Sequence, residues 1–293
     1  MFLRAIVVCF FVFVLSLLTS IGQRHFIYLH TISWPPLDFS LPPSQPQWPF
    51  FDGIPNAESF RVGHMGCWYI PGNGTKHVVV YFHGAGANRA YPHRLRLYHR
   101  LSHYAPTVSG VYACDYSGFA GQEGVPSVAQ LRRDGMDIVR AVEGREHPNA
   151  SIVLWGHSLG SYFAAYVAAA HRNNNRIAGL VMESAFTSAA RVPVHNLAIR
   201  YDISEDTVAD FVSSVLLHDT DMHDTLSVIP NVTVPVFFLH GDSDWVVPSC
   251  MSAQLSKALA GRHELVFLEG AGHNDCVDHG RFDDVVAGFL VGL

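Results

Sequence analysis

Charge is scarce in this chain: Asp, Glu, Lys and Arg together make up 15% of 293 residues, and the formal net charge is −6. The 19 Lys and Arg residues are scattered, so no basic stripe is available for a phosphate backbone, which excludes nucleic acid as a partner. Internal repeats and low-complexity tracts are absent. No motif with metal-ligand spacing occurs, apart from a run of His and Asp at 218–224 that reads more simply as a solvated loop. Neither a metal nor another cofactor is therefore expected. Cysteine is sparse as well, with five in all.

Apolar residues are plentiful, at 49%, enough for a large core, and the length is normal for a single α/β fold. The first 22 residues stand apart. Arg4 is followed by an apolar run from Ala5 to Leu18 that tails into Thr19-Ser20-Ile21-Gly22. From Ala5 to Ile21 it reaches the lower limit of a membrane span, which favours an uncleaved signal anchor. Ser20 and Gly22 also offer the small residues of a cleavage site, so a signal peptide and a secreted product are the alternative. Either way the globular part is expected to be translocated into a luminal or extracellular space, in the endoplasmic reticulum or secretory pathway. Sequons at Asn73, Asn149 and Asn231 agree with that compartment. So does the even set Cys67, Cys114, Cys250 and Cys276. The pair Cys250–Cys276 is expected first, because each follows an active-site loop; four unpaired thiols are the alternative.

Residues 23–59 hold repeated prolines (Trp34-Pro35-Pro36, Leu41-Pro42-Pro43, Pro46-Gln47-Trp48-Pro49), which forbid a helix and give an extended connector. Its interleaved Trp, Phe and Leu are expected to pack on a surface. A domain over 60–293 follows. Phe60–Val62 and Cys67–Ile70 read as a hairpin, and His77–Phe82, Val108–Cys114, Ile177–Glu183, Val234–His240 and Leu265–Leu268 as further strands. Helices are expected from Tyr91 to Tyr104, from a Ser127 cap to about Glu143, and from about Arg281 to Leu290. This alternation predicts a mostly parallel, doubly wound sheet with its sites at the carboxyl edge. The segment at about 184–232 breaks the pattern into Pro-interrupted pieces and is where a lid would sit.

The most informative stretch is Ile152-Val153-Leu154-Trp155-Gly156-His157-Ser158-Leu159-Gly160-Ser161, a buried strand that passes at once into an Ala-rich helix. Gly-x-Ser-x-Gly arises by chance in roughly one such chain in ten, so the flanking elements carry the argument. A strand turning abruptly into a helix needs glycine two residues before and after the serine, and leaves the serine hydroxyl above the sheet. Ser158 is thus the candidate nucleophile. A hydroxyl needs an imidazole to take its proton and a carboxylate to orient that imidazole. The loops after later strands supply Asp244 and His273, in the order Ser…Asp…His, with Asp242 and Asp275 as less suitable acids. Gly241-x-x-Asp244-x-x-Val247-Pro248 singles out Asp244; Asp242 is better suited to stabilising its loop. Backbone N–H groups of Leu159 and of Ala85, in the loop His83-Gly84-Ala85-Gly86, are the candidate oxyanion donors; an ordinary strand-to-helix turn is the plainer reading of that loop. His83 and His157 flank the site and are expected to bond backbone.

These motifs, with Asp115-Tyr116-Ser117-Gly118-Phe119, Glu183-Ser184-Ala185-Phe186-Thr187 and Gly272-His273-Asn274-Asp275, resemble α/β-hydrolase domain proteins over roughly residues 60–290. Within them the chain is similar to the membrane-anchored serine lipases of monoacylglycerols and lysophosphatidylserine, with a protein-depalmitoylating branch as sibling. Relatives often carry Asn at position 85 and Arg at position 117. The first change leaves a backbone donor; the second implies loss of a cation near the rim. The resemblance implies a lipid or acyl-ester substrate, an acyl-enzyme mechanism and membrane attachment through the N-terminal segment. A thioesterase or peptidase with the same triad is the first alternative. A non-catalytic binding protein of this fold, which would be expected to lack a triad member, is the second.

Overall fold

The computed structural model describes residues 27–29, 43–45, 53–202, 204, 205, 207, 208 and 223–293. The expected anchor at 1–22, most of the connector, positions 209–217 of the expected lid segment and the His/Asp run over 218–222 lie outside them. Among the described residues no helix is long and apolar enough to cross a membrane.

Eight strands form one sheet: β1 (Glu58–Val62), β2 (Met65–Pro71), β3 (His77–Phe82), β4 (Val108–Cys114), β5 (Ser151–His157), β6 (Ile177–Glu183), β7 (Val236–Gly241) and β8 (His263–Leu268), in the spatial order β1-β2-β4-β3-β5-β6-β7-β8. Strand β1 pairs antiparallel with β2, and β2 antiparallel with β4; all remaining pairings are parallel. Helices α1 (Pro92–Tyr104), α2 (Val128–Arg145), α3 (Leu159–Ala170), α4 (Arg191–Tyr201), α5 (Thr225–Val228), α6 (Cys250–Ala258) and α7 (Phe282–Val291) fill the connections. Helix α6, between the loop after β7 and strand β8, has no counterpart in the expectations above.

The central strands read as unbroken apolar runs because both faces of the sheet are covered. Side chains alternate between faces along each strand. Val78, Val80, Phe82, Ile152 and Leu154 pack with Leu131, Ile138, Phe163 and Leu255 in one core. Val79, Tyr81, Val153, Trp155, Phe237 and Leu239 pack with Leu97, Tyr98, Phe282 and Leu290 in the other. The expected cap of α2 is present: Ser127 Oγ accepts the Gln130 N–H at 3.1 Å. Of the connector, Tyr28 is buried on the domain, and its carbonyl accepts the Gly86 N–H at 2.9 Å.

The cysteine expectation is overturned. Cys67 and Cys114 form the disulfide, while Cys250 is free and exposed and Cys276 free and buried. Strand pairing explains this, since Cys67 and Cys114 are register partners across β2 and β4, with Cα atoms 4.0 Å apart. That antiparallel pairing brings the two thiols face to face. Cys276 instead points its thiol at the Gly272 carbonyl. Asn73, Asn149 and Asn231 are all exposed.

Candidate active site

Strand β5 ends where α3 begins, and Ser158 takes the whole turn with φ 53° and ψ −118°. A non-glycine residue there costs roughly 1–3 kcal/mol, held in place by its surroundings. The Ser158 N–H donates to the Glu183 carbonyl at 2.8 Å, tying the turn to β6. Both flanking glycines are required by space. A Cβ on Gly160 would lie 1.9 Å from the Phe82 carbonyl oxygen, and one on Gly156 2.4 Å from that of Gly160.

The three expected side chains converge. The Ser158 hydroxyl donates to His273 Nε2 at 3.1 Å, and His273 Nδ1–H donates to Asp244 Oδ2 at 2.7 Å. Residues 115 positions apart in sequence thus meet because both lie at the carboxyl edge of the sheet. Asp244 Oδ1 accepts the N–H groups of Val246 (2.8 Å) and Val247 (2.9 Å). Burial would raise its pKa, but hydrogen bonds from His240 and His273 outweigh it and hold the carboxyl well below the usual carboxylate range. It is therefore ionised at neutral pH and fixes the His273 tautomer with a lone pair free toward the serine.

The other expected residues fall as follows. Asp275 Oδ1 accepts the Gly272 N–H at 2.5 Å, so this carboxylate braces its own loop and does not touch the His273 ring. Asp242 accepts from the Gly270 N–H at 2.7 Å and joins the two loops. His157 donates from Nε2 to the His273 carbonyl at 2.9 Å. Burial, with His273 beside it, pushes its pKa down to about 3 and keeps it neutral. His83 donates from Nδ1 to the Gly84 carbonyl at 2.8 Å. Leu159 is the first residue of α3, at the positive end of the helix. Ala85 sits in the loop leaving β3, where Gly84 abuts Ser158: a Cβ there would lie 3.3 Å from Ser158 Cβ. Position 117 is not at a rim. Ser117 is fully buried, and its N–H and Oγ–H both donate to Asp134, at 2.8 and 2.9 Å.

Three contributors escaped the sequence reading. His240 is fully buried and donates from Nε2 to Asp244 Oδ2 (3.2 Å) and to the Val247 carbonyl (3.0 Å), while its Nδ1 accepts from Ser252 Oγ at 2.7 Å. The i, i+4 spacing of His240 and Asp244 was visible, but not that the loop folds back on the strand end. Glu183 ends β6 with its carboxylate buried against the Trp155 indole. Arg94 lies inside the Gly84–Asn88 loop. Among the described residues no group of three or more His, Cys, Asp or Glu could hold a metal ion.

The sheet order, the strained serine turn and the hydrogen-bonded Ser158–His273–Asp244 line give the chain the α/β-hydrolase fold with the site of a serine hydrolase. Residues 74–201 match the family model described as serine aminopeptidase, S33. The lysophosphatidylserine lipase ABHD12 of Danio rerio is 28% identical over 212 residues, 69% of this chain and 53% of the relative. Protein bem46 of Schizosaccharomyces pombe is 28% identical over 218 residues, 72% of this chain and 66% of that protein. This chain thus aligns with about half the length of the zebrafish relative. Among solved structures, the Pyrococcus furiosus esterase Pf2001 shares the fold with a TM-score of 0.60 at 17% identity, over 78% of this chain and 85% of its own.

Proposed function

We propose that this chain hydrolyses lipid-like acyl esters, monoacylglycerols or lysophospholipids, through an acyl-enzyme on Ser158. The observation that carries the reading is the continuous line Ser158 Oγ–His273–Asp244 at 3.1 and 2.7 Å. His273 Nε2 takes the hydroxyl proton as Ser158 Oγ bonds to the ester carbonyl carbon. The resulting oxyanion is held by the N–H groups of Ala85 and Leu159. Imidazolium then protonates the departing alkoxide, giving the alcohol product and the acyl-serine. Water, deprotonated by His273, attacks the acyl-serine and releases the fatty acid and free Ser158. Asp244 stays ionised throughout and stabilises the imidazolium.

The lipid class is supported by the zebrafish relative, whose name is that of a lysophosphatidylserine lipase. It is supported too by Trp245, which follows the acid directly and is 82% exposed, and by the exposed Leu197 on α4. Helix α4 and that loop are joined by Asn196 Nδ2–H donating to the Val246 carbonyl at 3.0 Å. An aromatic side chain beside the site suits an interface between water and acyl chains. In this reading residues 1–22 anchor the protein and place residues 60–293 on the luminal or extracellular side, with the segment over 184–232 as a lid. The three exposed sequon asparagines and the disulfide support that compartment. The family description favours one second reading, cleavage of an amide by the same three residues, and a thioester is open to the same chemistry.

The test is fluorophosphonate labelling of the membrane fraction, comparing wild type with Ser158→Ala. Labelling lost in the variant, followed by release of fatty acid from lysophospholipid or monoacylglycerol, supports the proposal. Absence of labelling on folded wild type refutes it. Turnover confined to palmitoyl-thioester or aminoacyl-amide substrates moves the assignment to the second reading.

A further inference from the structure

The loop that follows β3, His83-Gly84-Ala85-Gly86-Ala87-Asn88, has little of its own to hold it in one conformation. Two of its residues are glycine, and Gly86 and Ala87 adopt φ of 70° and 58°. Peptide planes flanked by glycine rotate readily. This matters at the Gly84–Ala85 peptide, because it carries the donor assigned to the oxyanion. Turned one way, it offers Ala85 N–H to the developing charge. Turned the other way, it places the Gly84 carbonyl oxygen there and repels that charge.

Arg94, in the first turn of α1, is only 2% exposed and reaches into this loop. Its Nη1–H donates to the Asn88 carbonyl at 2.6 Å, and its Nη2–H groups to the carbonyls of Gly84 and Gly86 at 3.3 Å each. The nearby carboxylate of Asp115 is engaged by Arg89. Beside the Tyr91 ring, 5.6 Å from its centre, and close to Tyr81, this buried guanidinium is hydrogen-bonded to three main-chain carbonyls, and a buried cation strongly opposes the loss of such partners. His83 Nδ1–H adds a second bond to the Gly84 carbonyl at 2.8 Å. In a trans peptide the C=O and N–H point in opposite directions. With the Gly84 carbonyl drawn toward Arg94 and His83, the Ala85 N–H is turned away from them, in a loop whose Gly84 lies against Ser158.

From this juxtaposition we propose that Arg94 is a positioning residue for the oxyanion hole: its planar fork locks the Gly84–Ala85 peptide with the N–H toward the reacting carbonyl. Arg94 does not touch substrate in this scheme. Its fork spans three carbonyls at once, which the single ammonium of lysine does not reproduce. The inference rests on the acyl-transfer reading of Ser158.

The test uses the full chain with Arg94→Met, Arg94→Ala and Arg94→Lys, measured for kcat and KM on an acyl ester, thermal midpoint and fluorophosphonate labelling. Losing one oxyanion donor lowers kcat by ~10²–10³, so Arg94→Met is expected to lose kcat on that scale while KM stays within about threefold. Millimolar guanidinium is expected to restore a measurable part of the kcat of Arg94→Ala, and ammonium is not. Should the Met and Ala variants fail to fold, Arg94→Lys decides: a kcat loss of about tenfold or more at unchanged KM supports the proposal. Wild-type kcat in a folded variant overturns it, as does a fall in kcat that tracks the thermal midpoint and KM together without rescue by guanidinium. Wild-type protein that neither turns over ester nor labels defeats the acyl-transfer reading itself, a different result from active wild type with indifferent Arg94 variants.

Discussion

Replacing Glu183 by Gln should stabilise the protein in alkaline solution and leave it nearly unchanged in acid. Glu183 closes β6, and its carbonyl accepts the Ser158 N–H at 2.8 Å and Ser161 Oγ–H at 3.0 Å. Its carboxyl is 4% exposed and accepts the Trp155 indole N–H at 2.9 Å. Burial raises its pKa from 4.5 to about 7, against the lowering effect of the Trp155 bond. Below pH 4.5 the group is protonated in both the folded and unfolded chain. Between there and about 7 the unfolded chain gives up its proton first, so stability falls as pH rises. Above that window a charged carboxylate is buried. At about 1.4 kcal/mol per tenfold change in proton affinity, the loss is ~3 kcal/mol. Gln keeps a carbonyl acceptor for Trp155 and does not titrate. Denaturant unfolding of both proteins at pH 5, 6, 7 and 8.5 should give a stability difference of under about 1 kcal/mol at pH 5, growing to ~3 kcal/mol in favour of Glu183→Gln at the alkaline end. A difference that is constant across the series, or that shrinks as pH rises, would refute the reasoning.

Four further outcomes can be measured directly. Gly160→Ala places a Cβ within 1.9 Å of the Phe82 carbonyl; a loss of about 3 kcal/mol or more is expected, with Ser158 labelling abolished, as read by thermal unfolding and probe gels. Reducing or deleting Cys67–Cys114, which are 47 residues apart, should cost about 2–4 kcal/mol. In the native state maleimide should reach Cys250, with Cys276 reacting only on unfolding. Acid should unfold the protein well above pH 3. Burial lowers His157 and His223 from 6.5 to about 3 and pushes His83 and His93 well down. A lowered pKa gives stability that is present above 6.5 and lost as pH falls through the window. About 4–5 kcal/mol rides on each of His157 and His223, and His83 and His93 act in the same direction, so the combined loss is comparable with a typical total of about 5–15 kcal/mol. A midpoint at or below pH 3 in near-UV circular dichroism would contradict this.

Elements that depend on local sequence were legible in advance. The strand–serine–helix turn could be read from Gly156 and Gly160, although only the crowding at Gly156 acts within the turn itself; that at Gly160 comes from the end of β3. The buried strands could be read from their apolar runs, and the α2 cap from Ser127. The order of Ser158, Asp244 and His273 followed from the loops that carry them. Helix α6 went unread because its short run, Cys250–Ala258, buries only four residues and carries no capping bond from Ser249.

What the sequence determined by itself was therefore whatever short-range sterics and hydrophobic periodicity encode: the strands, the elbow and the identity of the residues that could react. Tertiary structure alone decided the rest. It paired Cys67 with Cys114, since register across β2 and β4 sets which thiols meet. It buried Ser117 against Asp134, placed His240 behind Asp244, and threaded Arg94 into the loop beside the nucleophile. The first depends on two strands 47 residues apart being brought into register, and the others on how loops at the sheet's edge fold back, which local periodicity does not encode. Burial then set the protonation of Glu183 and the interior histidines, because desolvation acts on a charge only after the surrounding chain has excluded water.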